Sequence, residues 1–116
     1  MSRVIKFRAW DYEEKVMLPW DEIKLFSALA LGQGAKGRYF MQFTGLTDKN
    51  GKEIYEGDVA QFPISGDEFV TGQVVIELQA TGIRDASGAW QGQLHHRTSE
   101  TEVIGNIYEN PELLKV

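Results

Sequence analysis

A chain of 116 residues, 42% apolar and 25% charged, can bury one modest hydrophobic core and is too short for two self-sufficient ones. Seventeen acidic against twelve basic side chains give a formal net charge of −5, which sets the chain as a whole against polyanions such as nucleic acid or an acidic membrane. With no cysteine there is neither a disulfide framework nor a thiolate metal ligand, so packing alone must hold the core.

The opening Met1-Ser2-Arg3-Val4-Ile5-Lys6-Phe7-Arg8 places charges where a secretory signal needs an apolar stretch, and no run approaches the ~20 apolar residues of a membrane span. A single cytoplasmic domain over residues 1–116 is the expectation. From Arg3 to Trp10 the side chains alternate, with Ile5, Phe7 and Ala9 on one face and Lys6 and Arg8 on the other, the period of a half-buried strand. The charged stretch from Asp11 to Lys15 then leads into Val16-Met17-Leu18 and suits the loop of a first hairpin. The first strand is rich in basic residues, whereas Glu100, Glu102, Glu109 and Glu112 dominate the tail. Cross-strand charge pairing therefore predicts that the first strand lies beside the last.

Residues 19 to 31 fit either a short helix capped by Asp21 or a strand alternating at Ile23 and Leu25. Gly32, Gly34 and Gly37 make the next stretch a loop, and a strand resumes from Arg38 to Thr44. Asn50-Gly51 is the strongest turn signal in the chain, because both residues tolerate positive φ, and Gly51 is expected to adopt it. Further strands are predicted at 59–62, ended by Pro63 and Gly66, then at 70–78 with a bulge or bend at Gly72, at 90–95 and at 102–108. Asn110-Pro111 opens a short C-terminal helical turn. The sum is a mainly β fold: a small barrel-like or sandwich domain with an N-terminal hairpin.

Few constellations suggest chemistry. Gly32-Gln33-Gly34-Ala35-Lys36-Gly37 matches a dinucleotide-binding pattern, but the segment after it favours a strand where that mechanism needs a helix. His95 and His96 are the only histidines, and neighbouring residues of a strand point to opposite faces, so they do not share a metal. Glu53, Glu56 and Asp58 read as a solvated turn that keeps a strand edge from pairing. Ser99, His96 and Asp85 lack the spacing of a nucleophile elbow. No catalytic, cofactor-binding or metal-binding residues are assigned, and no cofactor is expected. Among thirteen aromatic residues, Trp10, Trp20 and Trp90 fall at strand ends or beside turns, where an indole can meet a partner. The alternative surface is basic: Arg3, Lys6, Arg8, Lys36 and Arg38 could converge on nucleic acid.

Three stretches carry a family resemblance: Ile5 to Asp11, Met41 to Asp58 and Val103 to Leu113. In their order and spacing they resemble the YopX family of phage and prophage proteins, and between them they reach both ends and the middle of the chain. The resemblance implies a phage or prophage origin and a mainly β fold with a small barrel in its later part, and it implies no reaction. The expected role is a non-catalytic protein-interaction module whose partner is a host or phage protein. A nucleic-acid accessory protein is the alternative, and homo-oligomerisation stays open.

Overall fold

The computed structural model describes residues 5–23, 37–77, 80–95 and 97–114. The chain forms two compact units, Met1–Phe43 and Thr44–Val116. In the first, β1 (Phe7–Asp11) pairs antiparallel with β2 (Val16–Leu18) and with the opening residues of β3 (Arg38–Thr47). The loop between β1 and β2 is organised by Asp11, whose Oδ1 accepts the backbone N–H groups of Glu13 and Glu14 at 3.0 Å each. The predicted hairpin is therefore present, but its faces do not divide into apolar and solvated. Ala9 and Trp10, neighbours on opposite faces, are both buried. The Lys6 ammonium lies 4.8 Å from the centre of the Phe43 ring, and Arg8 donates to the Met41 sulfur at 3.7 Å. Lys6 thus sets its charge over an aromatic face, while the Nε of Arg8 is buried beside the Met41 side chain.

Residues 20–23 are helical, and Pro19 O accepts the N–H groups of Glu22 and Ile23. Asp21 thus sits inside the first turn instead of capping it, where its charge still complements the helix N-terminus. The rest of the 19–31 segment lies outside the described residues.

In the second unit, β4 (Glu53–Tyr55) lies beside the end of β3, and Thr44 Oγ1 donates to Ile54 O at 2.7 Å. Five antiparallel strands follow in the order β8-β7-β6-β5-β9: β5 (Asp58–Ser65), β6 (Glu68–Glu77), β7 (Ala80–Arg84), β8 (Trp90–Gln93) and β9 (Glu102–Asn106). Ile54, Ala60, Phe62, Val74, Ile83, Leu94 and Val103 form its core, with Leu46 and Val70 packed against it. Each large side chain there removes enough apolar area from water to stabilise by about 1.5–3 kcal/mol. A 3₁₀ turn, η1 (Pro111–Leu114), stands where the Asn-Pro signal places it. The fold is mainly β, as predicted.

Several local expectations change. β9 pairs with β5 while β1 pairs with β2 and β3, so the basic and acidic strands do not pair with each other. Burial of Val59, Ala60 and Val103 decides that pairing, and surface charge does not. β5 continues through Pro63 to Ser65, with Pro63 opposite Phe69 of β6, beyond Gln61 where its pairing with β9 ends and the strand has become an edge. Gly72 sits in regular register opposite Ala60 and is not a bulge; a Cβ at this position would collide with Arg84 O and the Ile83 side chain, so glycine permits close approach of β7. Strand β7 has no counterpart in the sequence reading, since Thr81-Gly82 breaks the alternation that would mark it. Asp58 is buried and accepts the Tyr55 N–H at 2.8 Å, so it braces the turn between β4 and β5 instead of lying in solvent.

Candidate interaction surface

The hairpin loop at 48–52 shows how strongly the fold depends on a few polar side chains. Gly51 N–H donates to Asp48 O at 2.9 Å and Asp48 N–H to Lys52 O at 2.8 Å, a turn followed by a left-handed residue. Gly51 takes φ +81° as predicted; Asn50 keeps negative φ, so one residue and not two adopts the left-handed region. The Asp48 side chain accepts three backbone N–H groups, from Asn50 and Lys52 on Oδ1 and from Val103 of β9 on Oδ2, each at 2.9 Å. Burial pushes its carboxyl up, but those three donors and the Lys52 charge outweigh it and hold the carboxyl below the ordinary carboxylate range. Asn106 does comparable work after β9, accepting the N–H groups of Tyr108 and Glu109 at 3.0 and 2.8 Å. These residues are polar, buried and occupied with backbone, which is a structural use of polarity and not a reactive one.

Of the three tryptophans with an expected binding role, Trp10 is 8% exposed, opposite Met17 and Tyr39 in the sheet, and is part of the packing. Trp20 is half-buried, its ring 6.1 Å from that of Phe7. Trp90 is 39% exposed. Its indole lies over Gly82, where a Cβ would collide with the ring, and the Arg84 guanidinium stands 5.6 Å from the ring centre. Arg84 is fixed in turn by Glu77, at 2.7 Å from Nε and 2.6 Å from Nη2, and by Gly88 O at 2.7 Å from Nη1. The hydrogen-bonded pair lowers the Glu77 carboxyl and raises the Arg84 guanidinium.

Arg3 and Lys36 of the basic set lie outside the described residues. Lys6 and Arg8 share a face of β1, whereas Arg38 is opposite Asp11 on the other face, its Nε 3.7 Å from the Asp11 carboxylate. These three cations are not gathered on one face. Among the described residues, no three His, Asp or Glu side chains stand close enough to hold a metal ion, and no helix is long and apolar enough to cross a membrane.

One surface was not anticipated from the sequence. β9 pairs with β5 only over Asp58–Gln61, and β7 pairs with β6 only over Gln73–Glu77. Phe62 to Val70 therefore run on as a two-stranded arm that no other described strand accompanies. Phe62 and Val70, opposite each other, point to the core, while Pro63 faces Phe69 and a register shift leaves Ile64 outside the pairing. Ile64 and Phe69 are each 53% exposed. Asp67 and Glu68 lie at the tip, and the sequence has no Lys or Arg between Lys52 and Arg84. The signal available beforehand was Pro63-Ile64 and Phe69-Val70 flanking Ser65-Gly66-Asp67-Glu68, a turn between two apolar pairs; taking Pro63 as a strand end concealed it.

Comparison with known proteins agrees with the architecture. The model of the family described as YopX protein matches residues 6–115. Protein EF1440 from Enterococcus faecalis, a crystal structure, is similar with a TM-score of 0.64 and 26% identity over 98% of this chain and 100% of that one. The crystal structure of protein YopX from Bacillus subtilis gives a TM-score of 0.61 at 21% identity over 96% of each chain, a likeness of fold. No curated sequence matches.

Proposed function

We propose that this chain, which belongs to the YopX family, is a non-catalytic protein-interaction module of phage or prophage origin, working in the bacterial cytoplasm without a cofactor. The observation that carries the reading is the β5–β6 arm. Two large apolar side chains, Ile64 and Phe69, stand half in water on a ribbon that continues past the rest of its sheet, an arrangement that costs stability unless something covers it. The acidic tip and the long interval without Lys or Arg favour a partner with an apolar cleft rimmed by basic side chains. Such complementarity steers encounter, while burial of the two apolar groups holds the complex. A host or phage protein fits this chemistry, and a phosphate backbone does not.

The test is affinity capture from a bacterial lysate, with and without nuclease, using the unmodified chain and Phe69→Ser side by side. A protein that stays bound after nuclease treatment and is lost with Phe69→Ser supports the reading. Bound material that disappears with nuclease, or that is indifferent to Phe69, overturns it.

A further inference from the structure

Asn50 is followed by Gly51, and both are exposed at the tip of the β3–β4 loop. Glycine has no side chain to shield its nitrogen, so this is the dipeptide in which an asparagine amide most readily meets the next backbone nitrogen. The chain's other two asparagines are poorer candidates: Asn106 precedes the β-branched Ile107, and Asn110 precedes Pro111, which has no N–H. The loop, however, holds the attacking nitrogen and the backbone that carries the amide. Asn50 N–H is tied to Asp48 Oδ1 at 2.9 Å, and Gly51 N–H, which must lose its proton to become nucleophilic, donates to Asp48 O at 2.9 Å. The nearby carboxylate further disfavours loss of that proton.

We infer that Asn50 is a latent self-modification site held unreactive by the Asp48 brace. When the loop opens, Gly51 N gives its proton to solvent and attacks Asn50 Cγ. The N–Cγ bond forms, the Cγ–Nδ2 bond breaks, and Nδ2 takes up a proton and leaves as ammonia. Water then opens the resulting succinimide at either carbonyl, leaving aspartate or isoaspartate at position 50. Isoaspartate lengthens the backbone by one methylene inside the loop whose Asp48 also holds the Val103 N–H of β9. The isoaspartate form therefore loses the link between this loop and β9, and the change is one-way. This inference is independent of the partner reading.

The experiment follows the full chain at mildly alkaline pH, folded and in denaturing urea, by peptide mapping for the mass gain of amide to acid at Asn50. If the loop must open before reacting, the folded chain reacts more slowly by about tenfold or more. In Asp48→Ala, which removes the side-chain acceptor of the Asn50 and Lys52 N–H groups, and with its fold verified by circular dichroism, that protection is largely lost. Should this variant not fold, the unmodified chain still decides: its Asn50 rate is then compared with exchange of the Asn50 and Gly51 amides at rising sub-denaturing urea, and the two should rise together. Equal rates in the folded and unfolded chain, a folded Asp48→Ala that reacts no faster, reaction uncoupled from amide exchange, or a mass gain at Asn106 in place of Asn50 would each overturn the proposal.

Discussion

Replacing Asp48 tests how the second unit is held together. In Asp48→Ala three backbone donors lose their acceptor. Asn50 and Lys52 are exposed, so water takes over their N–H groups and the loss there is about 1 kcal/mol in total. Val103 is 8% exposed; its N–H is left unsatisfied, which costs about 2 kcal/mol. The sum, about 3 kcal/mol, is a large part of the margin of a small domain. Asp48→Asn retains an oxygen for the loop but sets an amide donor against the Val103 N–H, so it loses roughly the 2 kcal/mol of that single bond. The carboxyl is held below its ordinary value in the folded chain, so its contribution is complete above the unfolded value of about 4 and fades as pH falls through the lower folded value. The gap between the unmodified chain and Asp48→Asn should thus be widest near neutrality and narrow in acid. Urea unfolding at pH 7 and along a descending pH series measures it, with exchange of the Val103 amide as the local readout. A midpoint unchanged at pH 7, or a gap that widens on acidification, would refute the assignment.

Other consequences are simpler. Gly51→Ala meets no neighbouring atom but must adopt φ near +81°, so the urea midpoint should fall by the equivalent of about 1 kcal/mol. Gly82→Ala drives a methyl group into the Trp90 ring; a loss of about 1–3 kcal/mol and a red-shifted tryptophan emission should appear together. Phe69→Ser, at an exposed position of the arm, should change stability by no more than about 0.5 kcal/mol while abolishing partner capture. Binding to labelled duplex or single-stranded DNA, followed by fluorescence anisotropy, should be weak and should fall steeply between low and physiological salt; sub-micromolar affinity at physiological salt would favour the nucleic-acid alternative.

Turn chemistry was readable in advance wherever a single residue type has a single physical advantage. Gly51 needed positive φ and Asn110-Pro111 opened a helical turn, and both are found. The strands with aromatic or β-branched runs, β1, β3, β6 and β9, were also recognisable, because apolar pattern and propensity agreed. What failed depended on neighbours distant in sequence. β7 contains a glycine that makes sense only once Trp90 lies on it. Asp48 and Asp58 look like surface turn residues until β9 and the backbone of Tyr55 come to meet them. The arm escaped notice for the same reason: whether Pro63 ends a strand depends on where β9 stops, and that is a property of pairing. Trp10 illustrates the limit from the other side, since a tryptophan at a strand end is equally suited to docking and to core.

The link from Asp48 to Val103 spans fifty-five residues, and β5 receives its neighbour β9 from similarly far downstream. During synthesis, Asp58–Gln61 therefore waits with an unoccupied edge until Glu102 and the residues after it emerge. At ordinary translation rates of 5–20 residues per second that interval is about 2–8 s. For those seconds Val59 and Ala60, fully buried once folded, form part of a strand edge able to pair with another nascent chain. The vulnerable species is thus the unfinished polypeptide on the ribosome. A truncation before β9 would make that state permanent and should yield aggregates in place of a smaller folded domain.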